Sequence, residues 1–308
     1  MEGFIDTLNG VIWSNALVYL CLGAGAYFTL ATLFLQIRCL PDMIRQLKSG
    51  ESSEQGISSF QSLMISLAGR VGVGNIAGVA TAIAFGGPGA VFWMWLVALL
   101  GSATSFIECC LAQIYKETDR DTGEYRGGPA YYIEKAYKHT SAAPFMLVYA
   151  IIFAVCMLLA TSYFLPGIQA NGVAAAVDNA WGINIWVSAT IMTVLLAFII
   201  IGGVKRIANF ASMVVPFMAG IYIIIAIVVL FANATQIPEV FGTIVRAAFD
   251  KEAAFSGMLG AAIMWGVKRG IYSNEAGQGT GPQSAAAAEV SHPAKQGFVQ
   301  AFAVYIDT

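Results

Sequence analysis

SSFQSLMISLAGRVGVGNIAGVATAIAFGG, from Ser58 to Gly87, is long enough to cross a bilayer, because about 20 apolar residues in a helix span the hydrocarbon layer. Its middle is built from residues that a plain membrane anchor avoids. Gly69, Gly72, Gly74 and Gly78 fall within ten positions, with Arg70 and Asn75 among them. Each glycine lowers helix stability by about 1 kcal/mol relative to alanine, so the helix is expected to open here. Open backbone at membrane depth survives only inside protein or along a cavity, because unpaired N–H and C=O groups in lipid cost several kcal/mol each. Secondary transporters use paired half-helix ends at the midplane to hold a small zwitterion and its coupling cation. The stretch therefore reads as such a binding site.

The rest of the chain agrees with lipid as its solvent. Of 308 residues, 58% are hydrophobic and 11% charged, against about 25% charged in soluble domains. A net charge of −2 argues against a nucleic-acid partner, which needs a basic face. Met1 to Gly10 holds no Lys or Arg, and the apolar run after it is too long for a signal-peptide core, so no signal peptide is expected. The five cysteines, Cys21, Cys39, Cys109, Cys110 and Cys156, lack metal-ligand spacing and read as small hydrophobes.

Apolar runs lie near 12–37, 58–86, 88–115, 144–176, 184–203 and 208–232, followed by a glycine-rich run at 255–272 and an apolar stretch from Gln296. The fourth is expected to break at Pro166-Gly167 and continue as Ile168–Val177. Segments 38–57, 116–143, 204–207 and 268–295 hold 13 of the 16 basic residues. Arg246 and Lys251 lie on the alternate side, and Arg70 lies inside a span. This alternation fits the positive-inside rule, so the N-terminus is expected outside and the basic loops in the cytoplasm. Phe92-Trp93-Met94-Trp95 fits either an interfacial aromatic belt or tryptophans packed in a hairpin. Asn233-Ala234-Thr235 matches a glycosylation sequon and is taken as chance.

Gly72-Val73-Gly74-Asn75-Ile76-Ala77 also satisfies G-x-G-x-x-A. A dinucleotide site, however, needs a strand before it and an acid about 20 residues on, where Trp95 stands. Small-xxx-small packing is another reading of the same glycines. A membrane-embedded enzyme would need an acid/base pair or metal set at one depth; His139 and His292 lie in loops, so no enzyme is expected. A channel or non-transporting binding protein is the alternative to a transporter. The Ser273-Asn274-Glu275 cluster reads as a cytoplasmic capping turn.

Geometry assigns roles. Backbone N–H groups at Gly72, Val73, Gly74 and Asn75 are expected to receive a substrate carboxylate at a positive half-helix end. Carbonyls of Ala68 and Val71, with the Asn75 side-chain oxygen, are expected to bind a hard monovalent cation, which suits oxygen ligands. Arg70 reads as functional, or as a salt bridge to Glu108 or a cap on open carbonyls; Glu108 fits equally the inner end of its helix. Gln169 and Asn171 fit substrate contact or interhelical hydrogen bonding. The run from Ser256 is the expected partner, breaking near Gly257–Gly260, with Met258, Gly260 and Trp265 shaping an apolar wall that admits few atoms.

Several blocks resemble one family, the sodium:alanine (alanine or glycine:cation) symporters. The most specific is Gly270-Ile-Tyr-Ser-Asn-Glu-Ala-Gly277-Gln-Gly-Thr-Gly-Pro282, continued by Ser291-His-Pro-Ala-Lys-Gln-Gly297 and Asp307-Thr308. It is similar to the family's R-G-x-x-S-N-E-A-G, H-P-x-x-Q-G and D-T motifs. Gly127-Gly128-Pro129, Tyr131-Tyr132, Gln169-Ala170-Asn171 and Gly202-Gly203-Val-Lys-Arg206 resemble further blocks. The resemblance implies an all-α membrane protein with a leucine-transporter-like inverted-repeat bundle. It would comprise one extra helix (12–37), a first five-helix repeat (58–232) and the start of a second (255–308). It also implies co-transport of alanine or glycine with sodium across a bacterial-type inner membrane, without an organic cofactor. Val73 stands where the family often has threonine, which removes a hydroxyl. Family members are longer, so the chain reads as an N-terminal fragment that is not expected to transport.

Overall fold

A computed structural model describes residues 10–47, 53–249 and 258–308, with Gly3 and Thr7. Helices described before the glycine-rich stretch include α1 (Asn15–Ala31), α2 (Leu35–Arg38) and α3 (Leu40–Gln46). The run expected at 12–37 is therefore interrupted, at Leu33 and Phe34, whose φ angles are 53° and 56°.

Ser58 and Gln61 start the next helix with a capping box. The Ser58 hydroxyl accepts from Gln61 N–H at 3.2 Å, and the Gln61 side chain accepts from Ser58 N–H at 2.9 Å. That helix is interrupted as its glycines dictate, into α4 (Ser59–Arg70) and α5 (Val73–Gly86). The Gly87-Pro88 turn leads into α6 (Gly89–Tyr115). A small antiparallel hairpin follows, β1 (Glu117–Thr118) and β2 (Tyr125–Arg126), and then α7 (Pro129–Tyr137). Glu117 pairs with Arg126 and Lys135, each at 2.9 Å. Lys135 first and Arg126 second hold its carboxyl below the usual carboxylate range. Exposed pairs of this kind contribute about 0–1 kcal/mol.

α8 (Ala143–Leu159) passes through a π-helical turn at Ala160–Phe164 into α9 (Leu165–Trp181). The break expected at Pro166-Gly167 is thus a widened turn in a continuous 39-residue helix. Proline is tolerated there because it occupies the first turn of α9, and the π turn absorbs the displaced hydrogen bonds. α10 (Ile185–Ile200) and α11 (Gly203–Ala232) follow.

The pattern of apolar runs does not anticipate α12 (Ile237–Ala248), an amphipathic helix. Phe241 stacks on Trp95 at 5.6 Å, and the following Phe249 meets Phe92 edge-on at 4.8 Å. The Phe92–Trp95 aromatics are therefore covered by protein, which favours the packed reading over an open belt. α13 (Met258–Asn274), α14 (Thr280–Ala286) and α15 (Pro293–Asp307) complete the chain. Lys268 and Arg269 lie within α13, so they are withdrawn from the loop residues that supported the expected orientation.

Among the described residues, five helical segments are long and apolar enough to cross a membrane, counting α4 with α5 and α8 with α9, and α10 is a shorter apolar helix. Large apolar side chains on α8, α10 and α11, such as Phe145, Trp186, Leu195 and Phe231, stay exposed. Continuous apolar surface of this extent suits a multi-pass membrane protein. Polar groups and the tightest packing concentrate elsewhere. Val18, Val97, Val267 and Ile271 join α1, α6 and α13, while Leu63, Leu67, Val215 and Val299 join α4, α11 and α15.

The two interrupted helices lie antiparallel. At one end Ile57 and Ala288 form an isolated bridge, with Ile57 N–H donating to Ala287 O at 3.0 Å and Glu289 N–H to Ile57 O at 2.8 Å. At the other end a β-carbon on Gly86 would lie 2.9 Å from the Trp265 β-carbon. Only glycine permits that approach.

Candidate functional site

Val71 (φ −81°, ψ 86°) and Gly72 (φ −156°, ψ −149°) leave helical geometry. The last bond of α4 is Val71 N–H to Leu67 O at 2.8 Å; α5 begins with Asn75 and Ile76 N–H on Gly72 O at 3.1 and 3.2 Å. The carbonyls of Ala68, Gly69, Arg70 and Val71 thus receive no backbone N–H from the following turn. The opening forecast by the glycine cluster is present.

Its N–H groups are less free than expected. Val73 N–H donates to Gln169 Oε1 at 3.0 Å, and a β-carbon at Gly72 would lie 2.9 Å from the same side-chain amide. Gln169, from α9, therefore occupies the opening, while Asn171 on the same helix is exposed. Gly72 N–H faces Asn75 Oδ1 at 3.5 Å. Of the expected carboxylate cradle, Gly74 N–H alone has no hydrogen-bond acceptor among the described residues.

The sodium set also needs correction. Asn75 Nδ2 donates to Asp307 O at 2.7 Å and to the Asp307 carboxylate. Its oxygen is turned toward Gly72, not outward to an ion. Ser273 Oγ donates to the same carboxylate at 3.3 and 3.4 Å. Ala68 borders a cavity, whereas Val71 packs against the apolar cluster that joins α4, α11 and α15. The structure thus gathers Asn75, Ser273 and Asp307, two of which the sequence reading left out.

Among the described residues an interruption falls at 275–279, between α13 and α14, while Gly260 is helical. Gly257 and the side chain of Met258 lie outside the described residues. Gly260 sits in an unbroken helix with no atom within 4 Å of its β-position, so it narrows nothing. Of the Ser273-Asn274-Glu275 segment, Ser273 and Asn274 end α13 and Glu275 opens the break. Glu275 adopts φ 54°, and Gly277 and Gly279 take 83° and 90°. Side chains stitch this loop together. Gly277 N–H donates to Glu108 Oε1 at 3.1 Å, Thr280 Oγ1 to Glu275 Oε2 at 2.5 Å, and Ala276 N–H to Asn274 Oδ1 at 2.9 Å. Glu108 is therefore more than the inner end of its helix.

The two breaks face each other. A β-carbon on Gly69 would lie 3.3 Å from Glu275 Oε1, and one on Gly74 would lie 2.9 Å from the Tyr272 ring. Arg70, 1% exposed, donates to Gln300 O at 3.2 Å and Ser105 Oγ at 3.4 Å. No carboxylate lies within salt-bridge distance of it among the described residues, so it caps a carbonyl rather than pairing with Glu108. Arg70, Glu108 and Glu275 are all buried, and each buried ion costs several kcal/mol before compensation.

Among the cavities near these breaks, two share a wall. One, of about 280 Å3, is bordered by Ser66, Ala68, Gly69, Gln169, Glu275 and Thr280. The other, of about 340 Å3, is bordered by Trp13, Gly78, Trp265, Lys268 and Arg269. Gly74 and Tyr272 border both. Trp265 stacks on Phe85 at 4.9 Å and shapes the second cavity, away from the breaks.

A sequence profile of the sodium:alanine symporter family matches residues 1–308. The chain belongs to that family. YrbD of Bacillus subtilis, whose name describes a sodium/proton-dependent alanine carrier, is 56% identical over 308 residues, covering 100% of this chain and 62% of that protein. GlnT of the same organism, named for sodium and glutamine, is 46% identical over 310 residues, covering 100% and 63%. The sodium/alanine symporter AgcS of Methanococcus maripaludis is 41% identical over 307 residues, covering 99% and 67%. The chain therefore spans 62–67% of the length of these family relatives.

Proposed function

We propose that this protein is a sodium-coupled symporter of small neutral amino acids, alanine or glycine, built on a leucine-transporter-like inverted repeat with its N-terminus outside the cell membrane. The observation that carries the reading is the meeting of Asn75, Ser273 and Asp307 beside two facing helix breaks. The antiparallel pairing of the interrupted helices supports the repeat. Names of relatives support sodium and alanine as ligands, and one relative carries glutamine in its name.

Sodium enters next to the Asp307 carboxylate, and the Asn75 amide rotates to offer its oxygen with Ser273 Oγ. Hard oxygen donors of this kind suit a small cation. The bound charge then favours the substrate carboxylate at Gly74 N–H, where a helix begins, while Gln169 yields the Val73 N–H. The substrate ammonium faces the open carbonyls of Ala68 and Gly69 and the Glu275 carboxylate. Each ligand raises the affinity of the other by the same factor, as linkage requires. The Tyr272 ring against Gly74 limits the substrate side chain to few atoms.

Equilibrium binding of radiolabelled alanine to the chain in lipid nanodiscs, in sodium or choline, tests this. Binding is expected in sodium alone and to weaken at least about tenfold in Asp307→Ala, a loss of about 1.4 kcal/mol. Equal binding in choline, or an unaffected Asp307→Ala, overturns it.

A further inference from the structure

The second cavity is a different kind of site from the one between the breaks. Trp265, Lys268, Arg269 and Tyr272 recur at i, i+3, i+4 and i+7 on α13 and share one face. Gly74, Ala77, Gly78 and Thr81 do the same on α5 opposite. The small residues leave room: the nearest approach to the Gly78 β-position is Arg269 Cδ at 3.9 Å. Two cations therefore border about 340 Å3 of space between helices.

Among the described residues neither cation has an acidic partner. Lys268 Nζ sits 5.9 Å from the Trp13 ring centroid, and the Arg269 guanidinium carbon 5.4 Å from that of Trp265. Among the described residues no carboxylate lies within 4.0 Å of either. Aromatic faces hold cations in place without neutralising them. Clefts lined by one sign of charge between low-dielectric walls concentrate counter-ions and raise their on-rates about 10- to 1000-fold.

We infer that this cavity is a reception site for a small carboxylate, in which Lys268 and Arg269 hold the amino acid before it passes Tyr272 and Gly74 to the breaks. The identity of the occupant rests on the transporter reading above; the anion preference does not. The positions are consistent with handover, since Gly74 and Tyr272 border both cavities. The cations also orient the zwitterion, carboxylate toward α13, leaving its ammonium toward the break that carries Glu275.

Trp13 and Trp265 are built-in reporters. Acetate, as a carboxylate lacking an ammonium, is titrated into the chain in nanodiscs while tryptophan fluorescence is read. A saturable change is expected, absent in Lys268→Gln/Arg269→Gln and diminished in Trp265→Phe. Alanine association by stopped flow in sodium is expected to slow about tenfold in the double variant with little change in dissociation. Circular dichroism and thermal unfolding establish that the variant is folded. An acetate response that persists in the folded double variant overturns the site, as does chloride producing the whole response with acetate and alanine producing none. Because the acetate titration needs neither sodium nor transport, it fails or succeeds separately from sodium-dependent alanine binding.

Discussion

The first helix break takes two residues, Val71 and Gly72, and is closed by one amide from a neighbouring helix; the second takes five, 275–279, and is held by carboxylates and a hydroxyl. Glycine makes the first opening cheap in conformational terms, and Gln169 covers it without deep burial. The second holds Glu275 at φ 54°, a conformation that costs a non-glycine residue about 1–2 kcal/mol. It is maintained because Glu108 and Thr280 over-determine it. The difference assigns labour: backbone gives way at the first break, and side chains carry charge and geometry at the second.

The sharpest way to break this comparison is Gly74→Val, which drives side-chain atoms into the Tyr272 ring where even a β-carbon would sit 2.9 Å away. Overpacking of about 1–3 kcal/mol is expected, read as a loss of alanine binding of about tenfold or more. A smaller effect, on stability, is expected from Glu108→Ala. It removes the acceptor of Gly277 N–H and empties the buried space that the Glu108 side chain fills, so thermal unfolding in detergent should show a loss of about 1–3 kcal/mol, with Glu108→Gln retaining much of it. Gln169→Ala, by contrast, frees an N–H at a half-open site and should cost about 1 kcal/mol or less. If Gln169→Ala proves as damaging as Glu108→Ala, the two breaks are alike and the division of labour is wrong. Smallest of all, Glu275→Asn suits the left-handed conformation better but shortens the reach to Thr280. Its net stability change should stay within about 1 kcal/mol by the same unfolding assay.

The first break was legible because four glycines in ten residues have few other uses in a membrane helix. The second was misplaced for a physical reason. Gly260 is as helix-breaking by propensity as Gly72, yet it lies in the first described turn of α13, and the helix runs on from it to Asn274. Lys268, Arg269 and the Ser273–Glu275 cluster looked like an aqueous loop, since polarity alone does not separate a loop from a polar cavity wall. Asp307 was noted only as part of a motif; a lone acid ending an apolar stretch was the signal for its partnership with Asn75. α12 escaped because its apolar face is short and its other face carries Glu239 and Arg246, a pattern shared with exposed connections.

The bridge between Ile57 and Ala288 ties the start of α4 to the residues just past α14 through two backbone hydrogen bonds. Ser62 Oγ on Ser284 O at 2.8 Å and Gln296 Nε2 on Ser62 Oγ at 2.6 Å extend the join to α15. Any rearrangement that keeps these bonds must carry the three segments as a single lever. The breaks at Val71–Gly72 and 275–279 then become its fulcrum.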